Sequence, residues 1–166
     1  MKPSLFFCTL FIVLFYACSP SEETSSAIAD TPKAAEAEAA VEQLVKDAFD
    51  QVWSGLDTGA VTRLHTEDFL LLEHGEVWTN DTIQNYQLRE QPNAAAQGYT
   101  RTNDFEFLET VADGKTVWTA YHNYGTWTLG DSVLFKLHWL ESAVGVYTDE
   151  GWKLKMLHST RVPQRE

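Results

Sequence analysis

The chain has 166 residues, with 12 basic against 24 acidic side chains and a formal net charge of −12. That sign excludes a partner gripped by its phosphate backbone, which needs a positive surface, so no nucleic acid is expected. Aromatic residues make up 13% of the chain, enough to expect a core or a cavity built from rings.

The opening stretch is read first. Lys2 is the one charge before a run, Leu5 to Tyr16, that is apolar apart from Cys8 and Thr9. Crossing a hydrocarbon core of about 30 Å takes roughly 20 apolar residues at about 1.5 Å of helix rise each, so the run is too short to span and fits a secretory signal. Small Ala17 precedes Cys18, and polar and acidic residues follow. The pattern resembles a bacterial lipoprotein signal, cut before the cysteine, which is then acylated. Phe15 and Tyr16 depart from the strict motif, and an uncleaved signal anchor is the alternative. The resemblance implies a signal over 1–17, a lipidated Cys18 with a flexible tether over 18–30, and a domain over 31–166. It makes the membrane, reached through acylated Cys18, a partner and places the protein in the bacterial cell envelope, on the periplasmic side or at the surface. Acyl chains anchor because each buried methylene contributes about 0.8 kcal/mol. Residues 19–30, rich in Ser, Glu, Thr and Ala, bury too little apolar surface to fold. Glu22–Glu23 resembles surface-export signals of some lipoproteins, and a solvated linker explains it equally well. Cys8 and Cys18 are the two cysteines, so the mature domain holds no second thiol for a disulfide or a thiolate metal site. Losing Lys2 with the signal leaves 11 basic against 24 acidic residues, a charge of −13.

Asp30-Thr31-Pro32 reads as a helix start. Val41, Leu44, Val45, Ala48, Phe49, Val52, Trp53 and Leu56 then recur at the spacing of one helical face, predicting a long amphipathic helix that ends near Asp57-Thr58-Gly59. A short helix over 60–65 and a short apolar strand over 69–74 follow, and Asn80 caps a third helix. Beyond Gln91-Pro92 the period changes. Strands are predicted over 99–111, 115–129, 132–147 and 152–161, joined by turns at Asp113-Gly114, Gly130-Asp131 and Glu150-Gly151. Short links make these strands antiparallel. The fold class is α+β: a cone-shaped barrel in which a long helix and two shorter ones pack on a curved, mainly antiparallel sheet.

These residues are similar to a known family. "FDQVWSGLDTGAVTRLHTEDFLLLEHG", a tryptophan and a helix, and four strands ending in "GWKLKMLHST" resemble the SnoaL-like branch of the nuclear transport factor 2-like superfamily over residues 38–162. Trp53, Asp57, the Glu67-Asp68-Phe69 opening of the first strand, Gly75, Gly151-Trp152 and His158-Ser159 carry the likeness. It implies a cone with an open mouth and a pocket between the long helix and the concave sheet face. It does not imply one function, because the fold hosts isomerases, cyclases, epoxide hydrolases and binding proteins.

Glu73 is the first catalytic candidate. It ends an apolar strand and shares a face with Phe69 and Leu71, and a carboxyl in an apolar pocket becomes a base near neutral pH. The resemblance also places the general base of the ketosteroid isomerases on Glu73. Their oxyanion-donating tyrosine falls on Phe49, which has no hydrogen to give, so steroid isomerisation by that mechanism is rejected. The alternative for Glu73 is a strand-end carboxylate in water. His138 and His158 are the candidate acid/base partners. His122, beside Trp118, Ala120 and Tyr124, and His158, beside Trp152, Leu154 and Met156, are read as inward-facing, as is His138 beside Leu134, Leu140 and Val144. Such histidines are more often packed pocket residues than ligands, and with no close His/carboxylate motif no metal is expected. His65 is placed on the short helix at the surface, and Glu141 opposite the inward set. The expected pocket is lined by Phe49, Trp53, Phe69, Leu71, Trp118, His122, Tyr124 and Met156.

Two functions are weighed. The first is a lipid-tethered module binding a small, largely apolar molecule. The second is a cofactor-independent isomerase or hydrolase using Glu73 with a pocket histidine, with Tyr121, Tyr124 or Asn123 as the donor. No Gly-rich phosphate or dinucleotide fingerprint occurs, so no cofactor is expected. A homodimer pairing the sheet's outer face with itself is compatible with either function.

Overall fold

The computed structural model describes residues 32–163. The expected signal, Cys18, the tether and the Asp30-Thr31 cap lie outside the described residues. Helix α1 (Ala34–Ala48) buries Ala37, Val41, Leu44, Val45 and Ala48, the stripe that the sequence spacing demands. It runs on as a π-helical turn over Phe49–Ser54, where Gly55 N–H reaches back to Asp50 C=O at 2.7 Å. This wider turn is an uncommon device, found often at functional sites. Helix α2 (Thr58–Leu64) starts on Asp57, whose carboxylate accepts from Gly59 N–H (2.8 Å) and pairs with Arg63 (2.7 Å).

Strand β1 (His65–Glu73) and the short β2 (Glu76–Trp78) form a hairpin, followed by α3 (Asn80–Gln97). Thr79, one residue before the predicted Asn80, is the cap. Helix α3 has a weak apolar stripe and docks instead through glutamines. Gln84, Gln87 and Gln91 donate to the carbonyls of Thr58 (3.2 Å), Val52 (2.8 Å) and Leu56 (2.7 Å). The Val52 carbonyl, in the last turn of the π helix, would otherwise lack a partner. The helix outlasts Pro92 and stops at left-handed Gly98.

Strands β3 (Thr100–Asp113), β4 (Thr116–Leu129), β5 (Ser132–Thr148) and β6 (Gly151–Arg161) form the predicted antiparallel meander, and β1 joins β6 in parallel. The sheet order is β2-β1-β6-β5-β4-β3. Three helices on a curved, mainly antiparallel sheet give the α+β cone. The long helix crosses the concave face closely. A Cβ on Gly145 would stand 2.7 Å from Val41 Cγ2. Among the described residues no helix is long and apolar enough to cross a membrane.

Two placements correct the sequence expectations here. His65 is not a surface helix residue: it opens β1 and is 3% exposed, its ring stacked on Phe69 at 3.9 Å. The Asn80 amide donates to the carbonyls of Thr66 (2.8 Å) and Glu67 (3.2 Å), which turns its oxygen toward His65 Nδ1 (3.1 Å). That nitrogen therefore carries the hydrogen. Burial lowers the His65 pKa to about 4, so it is neutral at pH 7. The second correction concerns which sheet face looks inward. On β4 and β5 the concave residues are Val117, Thr119, Tyr121 and Asn123, and Trp139, Glu141 and Ala143, all buried. Trp118, His122 and Tyr124, and His138 and Leu140, occupy the convex face, where Trp118, Tyr124 and Leu140 are exposed. On β6 the ladder shifts between Leu154 and Met156, and this bulge changes the alternation. Leu154 faces in, then Leu157 and Ser159 do, leaving Met156 and His158 outside.

Candidate functional site

The concave face, the π turn, β2 and α3 line an open cavity of about 420 Å³. That falls in the usual range for small-molecule sites, roughly 300–1,000 Å³. Its walls are two groups of rings. Trp53 from the π turn, Trp78 from β2 and Tyr86 from α3 pack against one another, with centroids 5.6–6.3 Å apart. Phe49, Trp127 and Trp139 surround the Arg101 guanidinium, whose central carbon lies 5.8, 4.8 and 5.5 Å from their ring centres. The two indoles close over Gly125, where a Cβ would meet Trp127 and Trp139 at 2.9 Å each. Only a residue without a side chain allows them to lie there.

The polar side of the cavity is one row across the sheet. The register aligns Glu73 with Ser159, Ser159 with Glu141, and Glu141 with Tyr121. Glu141 is 5% exposed. Its Oε1 accepts from Ser159 Oγ–H (2.8 Å) and its Oε2 from Asn123 Nδ2–H (3.1 Å). Asn123 accepts in turn from Asn103 (2.6 Å), and Asn103 from Arg101 Nε–H (3.0 Å), so a continuous chain of hydrogen bonds links the guanidinium to the carboxyl. Burial raises the Glu141 pKa to about 7; the Ser159 and Asn123 donors pull the other way and do not offset it. Glu73 is half-buried and also raised, chiefly by burial, with His74 opposing; His74 Nε2 lies 2.8 Å from its Oε1. Ser159 has one hydroxyl hydrogen to offer, and Glu73 and Glu141 stand on either side of it. Tyr121 is fully buried, and burial, with the Glu141 carboxyl across the ladder from it, pushes its phenol pKa well up.

Of the residues singled out in the sequence, Phe49, Trp53, Leu71 and Glu73 line this cavity. Phe69 lies in the core against His65 instead. Trp118, His122, Tyr124 and Met156, expected in the pocket, stand on the convex face, as do the catalytic candidates His138 and His158. His122 Nδ1 meets His138 Nε2 there at 2.8 Å, and His138 stacks on Tyr124 at 4.5 Å. The histidine beside Glu73 is its chain neighbour, His74. Glu141, Ser159 and Arg101 were missed. For Glu141 the signal was present: it opposes the histidine face, and that face is the outer one.

No family model matches the chain, and no curated protein does. Solved structures are similar. A conserved protein from Planctomyces limnophilus superposes with a TM-score of 0.63 at 15% identity, covering 77% of this chain and 99% of its own. A nuclear transport factor 2-like superfamily protein from Salmonella enterica serovar Typhimurium gives 0.61 at 10% identity, over 80% of this chain and 95% of its own. A nuclear transport factor 2-like protein from Cytophaga hutchinsonii gives 0.55 at 12% identity, over 75% and 97%. The element order, the curved six-stranded sheet and these likenesses together show that the chain has the nuclear transport factor 2-like fold.

Proposed function

We propose that the domain binds a small, flat, largely apolar molecule in the ring-walled cavity, and that acylated Cys18 tethers it to a bacterial envelope membrane. The observation that carries the binding reading is an open cavity of about 420 Å³ lined by two aromatic groups brought from five separate elements. Rings spent on packing alone would fill that space. Native mass spectrometry of the purified full chain tests it, with a co-purified small molecule as the expected result. Gly125→Ala is the matched control: its added methyl displaces both indoles, and we expect it to lose that molecule. Overpacking of this kind typically costs about 1–3 kcal/mol. An identical adduct on both proteins would contradict the cavity as its site. The tether rests on the sequence pattern at Ala17-Cys18. Cys18→Ser should remain uncut and unacylated, and acylated mature protein from that variant would remove the proposal.

A second reading, acid/base catalysis without a cofactor, is favoured by one observation: two carboxyls with raised pKa values flank Ser159 in the cavity. In this reading the Glu73 carboxylate takes a proton next to a substrate carbonyl, and neutral Glu141 hydrogen-bonds the enolate oxygen. Hydrogen–deuterium exchange at the acidic carbon of 2-tetralone, followed by NMR, tests it. Exchange that is accelerated by the protein and lost in Glu73→Gln supports the reading. A rate equal to the buffer's removes it.

A further inference from the structure

Arg101 has a feature that core packing does not account for. Its Nε–H is used by Asn103, but among the described residues neither terminal NH2 group has a hydrogen-bond acceptor or a carboxylate within ion-pair distance. A guanidinium set among three aromatic rings has given up much of its water, and its remaining N–H donors call for an acceptor. The nearby carboxyls do not supply one. Glu141 is committed to Ser159 and Asn123, Glu73 lies beside His74, and both act on Arg101 only through longer-range attraction. The guanidinium belongs to the cavity lining, as do the Trp127 and Trp139 indoles whose ring centres lie 4.8 and 5.5 Å from it.

We infer that the molecule bound in this cavity is a carboxylate: a planar apolar body held between the rings, with its anionic group seated on the terminal nitrogens of Arg101. The inference rests on the binding reading above and adds the chemical class of the ligand. The guanidinium fork matches the two oxygens of a carboxylate, giving two parallel charge-assisted hydrogen bonds. Low exposure strengthens them, because water competes less. The anion belongs on Arg101, the one lysine or arginine among the described residues of the lining, because the other charged groups there, Glu73, Glu76 and Glu141, are carboxyls. The Asn103–Asn123 chain holds Nε and so fixes the plane of the fork. The rings give area without selectivity, whereas the unpaired donors of Arg101 discriminate: a neutral analogue leaves them poorly satisfied.

Isothermal titration calorimetry on the full chain with two probes of the same shape, 2-naphthoate and 2-naphthamide, tests this at pH 7.5. The carboxylate is expected to bind at least about tenfold more tightly than the amide, the lower end of what hydrogen bonds to a charged group supply. Arg101→Gln should bring the carboxylate to the amide's level while leaving the amide unchanged, and Arg101→Lys, a charge without the fork, should fall between. Equal affinities of the two probes for the unaltered protein would overturn the inference and leave the binding reading standing. Absence of binding by either probe would remove both. The comparison on the unaltered protein decides the matter even where an Arg101 variant does not fold.

Discussion

Phe69→Ala is expected to be the most destabilising single truncation in the domain, at about 3–5 kcal/mol, the range for removing a large aromatic from a packed core. Phe69 is 2% exposed and joins the main cluster formed by α1, the π turn and β1. Its loss does more than open a void. The ring is stacked on His65, which is neutral because it is buried, and an opened core lets water reach that imidazole. Urea unfolding at pH 7 measures the cost as a lower midpoint at unchanged slope. A cost under about 1 kcal/mol would mean that β1 is not packed as described.

Glu141→Gln is expected to stabilise the protein at pH 8 and to do almost nothing at pH 4.5. The folded pKa of Glu141 is about 7 against an ordinary value of 4.5, so the fold favours the protonated acid. Between those two values the native state binds the extra proton, and stability falls as pH rises. The difference corresponds to about 3 kcal/mol at 1.36 kcal/mol per pKa unit, fully present as a deficit above pH 7. Glutamine is neutral throughout and can still accept from Asn123 and donate to Ser159, so it removes the deficit. The expected gain at pH 8 is roughly 10 °C in Tm for a domain of this size. His65 works with the opposite sign. Its pKa falls from 6.5 to about 4 on folding, so its contribution is complete above 6.5 and is lost as pH drops toward 4. The two slopes oppose each other over much of the same range in the unaltered protein. The variant-minus-parent difference isolates Glu141. A difference that stays constant from pH 4.5 to pH 8 would contradict a buried, proton-holding carboxyl at this position.

Most of the fold was legible because it is written in local periodicity. The α1 stripe and the three glycine turns of the meander each follow from residues a few positions apart. The parallel pairing of β1 with β6 was not, since it joins segments about 85 residues apart in sequence and no local signal records it. The site was half legible. Glu73, Phe49, Trp53 and Leu71 lie on elements whose inner face the sequence identifies. The inner faces of β4 and β5 were misread because the concave side holds Thr119, Asn123 and Glu141, while the convex side carries Trp118, Tyr124 and Leu140. A buried polar network makes an inner face look like an outer one. On β6 the error had another cause: the bulge near Lys155, whose ammonium pairs with Asp68, shifts the alternation, and no count by twos crosses it correctly. Arg101 was passed over because a lone arginine at the start of a strand carries no motif. Only the three rings folded around it mark it.

Ligand is expected to enter the concave cavity rather than rest on the exposed apolar face behind it. The tryptophans report on both places, since Trp53, Trp78, Trp127 and Trp139 line the cavity and Trp118 stands on the convex face. An NMR titration of the indole N–H resonances with 2-naphthoate separates the two directly. The four cavity indoles are expected to shift with one common saturation curve while Trp118 stays in place. A saturable shift of Trp118 with the cavity indoles unmoved would contradict it.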